Sequence, residues 1–247
     1  MKRAPAKSPR HGLARTLSKL GACSRTQAAQ YAREGRVTIN GRVVRDPETP
    51  VDAERDRIAL DGAEIRASGR VYLMLNKPRG YVTTASDERG RETVYALLEG
   101  AGLPWIAPVG RLDKASEGLL LLTNDSAWAA RITAPESHVE KTYHVQIDRL
   151  PDAALLASLK HGVEDGSERL SARSVRELRR GEKNAWLEIV LDEGRNRQIR
   201  RLLAAHGVGV MRLVRVAIGP VALGTLAKGA HRALDAKEVA ALAPRSA

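Results

Sequence analysis

The chain has 247 residues, 43% of them apolar and 28% charged, with 41 lysines and arginines against 29 aspartates and glutamates, for a formal net charge of +12. That apolar content excludes disorder as the main state, and the excess of positive charge points to a polyanionic partner. No purely apolar run, Leu119 to Leu122 included, approaches the ~20 residues a membrane helix needs, nothing after Met1-Lys2-Arg3 reads as a signal-peptide core, and the single cysteine, Cys23, excludes an internal disulfide and fits a reducing cytoplasm.

Charge is concentrated at the start. Residues 1–45 hold eleven basic residues against one acid, Glu34. Residues 1–11, with Pro5 and Pro9 among basic side chains, are predicted to form a disordered arm. Leu13, Leu17 and Leu20 then recur at helical spacing up to Gly21, a suitable helix end. Ser24 is placed to cap a second helix that carries Ala28, Ala29 and Tyr31 and stops at Gly35. Val37 and Ile39 lead into Asn40-Gly41, a two-residue hairpin signal, with Val43 and Val44 on the return. The stretch from Leu13 to Asn40, with Gly21-Ala22-Cys23-Ser24-Arg25 opening the second helix and Gly35 to Gly41 forming the hairpin, resembles the alpha-L RNA-binding module of a small-subunit ribosomal protein. The resemblance implies a module over about residues 12–66, a structured RNA as partner, and Arg25, Arg33, Arg36 and Arg42 as phosphate contacts. It names no reaction, because fold analogy does not carry chemistry.

After a charged, glycine-containing stretch, Asp61 to Gly69, a second domain is predicted over residues 71–247. Val71 to Leu75 reads as a buried strand, ended by a turn at Asn76-Lys77-Pro78-Arg79-Gly80. Gly118 to Thr123 is another, and Asn124-Asp125-Ser126 can cap a helix running to about Thr133. Tyr143, Val145 and Ile147 alternate with His144, Gln146 and Asp148, and Leu187, Ile189 and Leu191 with Trp186, Glu188 and Val190, so both segments are half-buried strands. Ile199, Leu202, Leu203 and His206 share one helix face, with Arg197, Arg200 and Arg201 expected together on the other. The expected class is α+β, a small helix-plus-hairpin domain followed by a mixed-sheet domain.

Several chemistries lose support. No P-loop, no dinucleotide-type glycine loop after a strand, no H-E-x-x-H and no G-x-S-x-G occurs. The six histidines show no metal-ligand spacing, so no metal is expected. What remains is a cofactor-free enzyme or a pure binder.

Gly110-Arg111-Leu112-Asp113-Lys114-Ala115-Ser116-Glu117-Gly118 sets an acid between two cations, in a glycine-bounded loop that feeds the apolar run Leu119 to Leu122. That is a place where a rigid sheet can present a carboxylate. The string through Thr123-Asn124-Asp125 resembles the signature of pseudouridine synthases of the RsuA/RluB type. Three further segments agree in order: Met74 to Val82, Glu140-Lys141-Thr142-Tyr143-His144-Val145, and Glu193 to Arg201. With the module in front, the resemblance spans about residues 12–240.

By that resemblance Asp113 is the essential carboxylate. It either attacks the sugar carbon or takes a sugar proton to give a glycal-like intermediate. Either course needs an ionised group. Arg200 is the implied ion-pair partner of Asp113; the alternative is another phosphate-binding arginine beside Arg197 and Arg201. Tyr143 is implied to stack on the target base, the alternative being a core tyrosine. Arg111 is implied to fill the gap left by a flipped nucleotide. Ile199 packs beside the uracil or simply in the core, Lys77 orients the Asp113 loop or binds phosphate, and Arg195 joins the substrate contacts. The implied enzyme is a cytoplasmic rRNA pseudouridine synthase with no cofactor, expected as a monomer acting on ribosomal RNA or a ribosome-assembly intermediate. The Asn-Arg-Gln-Ile-Arg-Arg run and Ser116-Glu117-Gly118 favour the large subunit, while the Met74 to Val82 and Glu140 to Tyr143 segments are also similar to the small-subunit enzyme. A non-catalytic assembly factor would not need Asp113, Tyr143 and Arg200 together, and an RNA methyltransferase would need the missing glycine-rich loop.

Overall fold

The structure is a computed structural model and describes residues 10–85, 87 and 89–242. Most of the expected N-terminal arm lies outside the described residues; its last residue, His11, is already in a strand. The chain forms two compact units that are not simply consecutive. One comprises residues 1–71 together with 100–107 and 123–126, the other residues 72–99, 108–122 and 127–247.

In the first unit, β1 (His11–Gly12) leads directly into α1 (Leu13–Lys19). Helix α2 (Arg25–Arg33) opens on a reciprocal cap: the Ser24 hydroxyl accepts from the Gln27 N–H, and the Gln27 side chain accepts from the Ser24 N–H, both at 3.1 Å. β2 (Val37–Ile39) turns into β3 (Arg42–Val43) through Asn40 and Gly41, both at positive φ, the conformation that an Asn-Gly pair tolerates and a twisted hairpin requires. β4 (Pro50–Val51) pairs with β1, and β5 (Ile58–Leu60) with β2. Asp61-Gly62 then makes a second tight hairpin into β6 (Ala63–Glu64), so the charged stretch read as the start of a boundary still belongs to the sheet, in the order β3-β2-β5-β6. Leu13, Leu17, Ala28, Ala32, Val37 and Ile58 close a small aliphatic core.

The second unit is built on a mixed sheet. Its strands are β7 (Tyr72–Lys77), β8 (Ala107–Pro108), β9 (Glu117–Thr123), β10 (Lys141–Ile147), β13 (Ser174–Arg180), β14 (Ala185–Leu191), β15 (Val210–Ile218), β16 (Val221–Ala222) and β17 (His231–Ala233), while β11 (Val163–Asp165) and β12 (Glu168–Leu170) form a separate hairpin. The order is β13-β14-β10-β15-β9-β7-β17, antiparallel except where β15 runs parallel to β9. β7 extends through Asn76 and Lys77, two residues read as turn, because the Asn76 main chain is paired on both sides: its N–H donates to Ala230 and its C=O accepts from Gly229. One apolar cluster joins Val145, Ile147, Leu187 and Ile189 to α4 (Ala153–His161) and α5 (Gln198–Ala204). A second joins Met74, Leu119 and Leu121 to α3 (Ser126–Thr133) and α6 (Ala236–Leu242). Among the described residues no helix is long and apolar enough to cross a membrane.

Candidate active site

The loop from Arg111 to Ser116 connects into β9, and all six of its carbonyls accept hydrogen bonds. Arg215 donates to Arg111 at 3.4 Å, the Thr83 hydroxyl to Leu112 at 2.7 Å, and Lys77 to Asp113 at 3.1 Å and Ser116 at 2.9 Å. The Gly80 N–H donates to Lys114 at 2.9 Å, and Arg200 to Ala115 at 3.2 Å. Lys77 is fully buried, and burial pulls its ammonium down to about 8, against the opposing charges of Asp113 and Glu117. An ammonium in that position braces the loop, its donors directed at the carbonyls of Pro78, Asp113 and Ser116. At the loop's end Gly118 stands at φ +103° against β15, and a Cβ there would run into the Arg215 main chain. Glu117, also buried, receives Arg212 at 2.8 Å and Lys228 at 2.5 Å. Burial works to raise its carboxyl, but the hydrogen bonds from these cations outweigh it and hold it below the usual glutamate range.

While its main chain is gripped from behind, the Asp113 side chain stays 35% exposed. Its ion-pair partner is Arg197, at 3.5 Å, and not Arg200 as the motif implied. Arg197 occupies the position before α5 with φ +49°, and this left-handed turn swings its side chain towards Asp113. Arg200, one turn on, instead donates to the carbonyls of Ala115 and Val210, and its Nε is buried with no partner among the described residues. Burial first, then the nearby Arg197, lower the Arg200 guanidinium, with Asp113 acting in the opposite sense. The three arginines therefore do not share one face. Arg201 turns to the β11–β12 hairpin, where it binds Asp165 at 2.5 Å and Glu168 at 2.6 Å. Arg195 pairs with Glu193 at 2.9 Å.

Asp113 opens into a cavity of about 560 Å³, whose lining includes Arg111, Tyr143, Arg195, Arg197, Ile199 and Arg200. Every second-domain residue singled out in the sequence is there except the bracing Lys77 and the outward-turned Arg201. Ile199 is buried, and Tyr143 packs partly against the same apolar cluster. A carboxylate and an aromatic ring lining one cavity can hold a planar base and act on the sugar attached to it. Sequence reasoning missed Thr83, Glu117, Lys141 and Arg215. The signal for Glu117 was available in principle, as an acid at the head of a run that is otherwise apolar. In the first unit Arg25, Arg33 and Arg42 are exposed and have no side-chain hydrogen bond or ion pair among the described residues. Arg36 is different: it pairs with Asp61 at 2.6 Å and Glu34 at 3.3 Å and lies 4.2 Å from the centre of the Tyr31 ring, so its charge is already partnered.

Together, a basic helix-and-hairpin unit and a mixed sheet presenting a carboxylate over an aromatic-lined cavity define an enzyme that acts on RNA. The family model for RNA pseudouridylate synthase matches residues 71–205, and that for the S4 domain residues 12–58. An RNA pseudouridine synthase of Aquifex aeolicus (strain VF5), described as uncharacterised, is 39% identical over 228 residues, covering 92% of this chain and 91% of the relative. One of Mycobacterium bovis, described likewise, is 40% identical over 235 residues, covering 93% and 92%. A crystal structure of pseudouridylate synthase superimposes with a TM-score of 0.65 at 31% identity, covering 95% of this chain and all of that one. The chain belongs to the RNA pseudouridine synthase family, which are isomerases, and its RNA-binding module is an S4 domain. The resemblance and the α+β class read from the sequence are borne out.

Proposed function

We propose that this enzyme converts a uridine of ribosomal RNA to pseudouridine in the cytoplasm, with the large subunit as the favoured target, using Asp113 and no cofactor. The product is an isomer of the substrate, so no group or electron has to be supplied from outside. The observation that carries the reading is the contrast within one loop: six braced carbonyls and one exposed carboxylate, facing a cavity that also holds Tyr143. A fixed main chain keeps the carboxylate in reacting position without reorganisation at the moment of reaction. Arg197 pairs with it at 3.5 Å, and both attack on the sugar and removal of a sugar proton call for a carboxylate at that place. Tyr143 stacks on the flipped base, Ile199 closes the apolar side, and Arg111 occupies the vacated place in the RNA. The exposed arginines of the S4 domain hold the RNA through its phosphates.

The test is to map pseudouridines in the ribosomal and transfer RNAs from cells with and without the gene, and to restore either wild type or Asp113→Asn. A position in large-subunit RNA that loses its modification, and regains it with wild type only, is the expected result. Ribosomal RNA unchanged, with a transfer RNA position lost instead, would refute the target.

A further inference from the structure

Of the cations that line the cavity, Lys141 and Arg215 stand on neighbouring strands of the sheet and take part in no ion pair among the described residues. Lys141 and Tyr143 lie two residues apart on β10, whose pairing with β14 is regular, so their side chains leave the same face of the sheet. Across the strand, Tyr143 is paired with Arg215 of β15, and a one-residue bulge at Val216 separates that pair from the next. All three residues line the cavity. Among the described residues the Lys141 ammonium has no hydrogen-bond or ion-pair partner, although its side chain is half-buried. Arg215 is buried; it donates to the carbonyls of Leu119 and Arg111 but leaves Nη2 without a partner. The acids of the cavity wall are engaged elsewhere, Asp113 with Arg197, Asp192 with Arg173 and Glu193 with Arg195.

We propose that Lys141 and Arg215 form a subsite for a carbonyl oxygen of the target uracil, and that they stabilise the charge the base acquires when its bond to ribose breaks. The proposal rests on the cavity being the uridine site. When the bond from C1′ to N1 breaks, its electron pair stays with the base, giving a uracil anion whose charge is shared by N1 and the two carbonyl oxygens. The sugar is held by the Asp113 carboxylate or has given it a proton. After the base turns, an electron pair of the ring forms the C5–C1′ bond as the bond from Asp113 to C1′ breaks, or as Asp113 returns its proton to C2′ of the glycal; the proton on C5 is then lost and N1 gains one, so atoms and charge balance. Tyr143 covers the face of the base but offers little to an anion in its plane. Two cations beside that ring, kept together at a mutual electrostatic cost, suit an anionic guest. Burial first, and then Arg215, depress the Lys141 ammonium, with Asp192 opposing, which is the cost expected of such a pair.

Arg215 also holds the Asp113 loop, so the informative variant is Lys141→Met in the full chain, with Lys141→Arg beside it. Transcribed ribosomal RNA containing either uridine or 5-fluorouridine throughout serves as the probe, read in single-turnover isomerisation or base rearrangement and in binding. Fluorine withdraws charge from the leaving base, so the subsite matters less on the fluorinated RNA. On uridine RNA, Lys141→Met is expected to lower the saturating rate about 100-fold with affinity within about threefold, and the loss should shrink to about tenfold or less on 5-fluorouridine RNA. Lys141→Arg should restore most of the rate. Equal losses on both RNAs would reduce Lys141 to a structural role, and weaker binding with an unchanged saturating rate would make it a phosphate contact; either overturns the proposal. Asp113→Asn is run in parallel. If it turns over like wild type, the cavity is not the reaction site, and the proposal falls with that reading instead.

Discussion

In the S4 domain, Arg25, Arg33 and Arg42 stand exposed with no ion pair among the described residues, whereas in the catalytic unit Lys77, Arg200 and Arg215 are buried or half-buried and direct their donors at main-chain carbonyls. The residue types are the same, and burial separates their work. An exposed guanidinium remains hydrated and is screened by salt, so it adds affinity to a polyanion that falls as salt rises. A buried cation has lost its water, so the carbonyls its donors reach are held firmly in place. Arg36 and Arg201 belong to neither group, since each is already neutralised by two carboxylates.

The largest effect expected from this division is at the carboxylate that the inner cations present. Asp113→Asn keeps the shape and removes the charge, and should lower single-turnover isomerisation by more than about 10³-fold while RNA affinity stays within about threefold. Turnover within about tenfold of wild type would break the assignment. Lys77→Met removes the brace from the carbonyls of Pro78, Asp113 and Ser116. It should cost about 2–3 kcal/mol in urea unfolding and about 10²-fold in saturating rate through misplacement of the loop. Gly118→Ala forces a Cβ into the Arg215 main chain at a left-handed φ and should cost about 3 kcal/mol, seen as a lower unfolding midpoint.

A smaller effect follows from the Lys77 titration. Its ammonium falls from the ordinary 10.5 to about 8 on folding. Between those values the unfolded chain holds a proton that the folded one has released, so the Lys77 contribution to stability rises with pH there. Activity should move the other way, because a neutral amine has one donor fewer for three carbonyls. Single-turnover rates should fall along an alkaline limb near pH 8 while the unfolding free energy does not fall with them. A rate that stays flat well above that point would show that the charge on Lys77 is not needed.

Much of this was legible because it is local. The Ser24 cap, the Asn40-Gly41 turn and the alternation of Tyr143, Val145 and Ile147 are decided within a few residues, and each appears where the sequence puts it. The cavity residues were legible only through the resemblance of four separated motifs. The Asp113–Arg197 pair was not, because Arg197 and Arg200 are one helical turn apart and the choice between them depends on the left-handed backbone at Arg197. Nor was the loop brace, since a carbonyl acceptor has no residue type to announce it. Arg201 was misread for a further reason: its carboxylates lie on a hairpin more than thirty residues earlier in the chain.

The division between outer and inner cations is tested most directly by measuring the salt dependence of RNA binding and the saturating single-turnover rate side by side. The variants are Lys77→Met and the triple Arg25→Gln, Arg33→Gln, Arg42→Gln. The triple variant should bind with a salt slope shallower by ~0.7–0.9 for each phosphate that the protein no longer neutralises, while its saturating rate stays within about threefold of wild type. Lys77→Met should show the reverse, an unchanged slope and a much reduced rate. A triple variant that keeps the wild-type slope, or that loses as much saturating rate as Lys77→Met, would contradict the account.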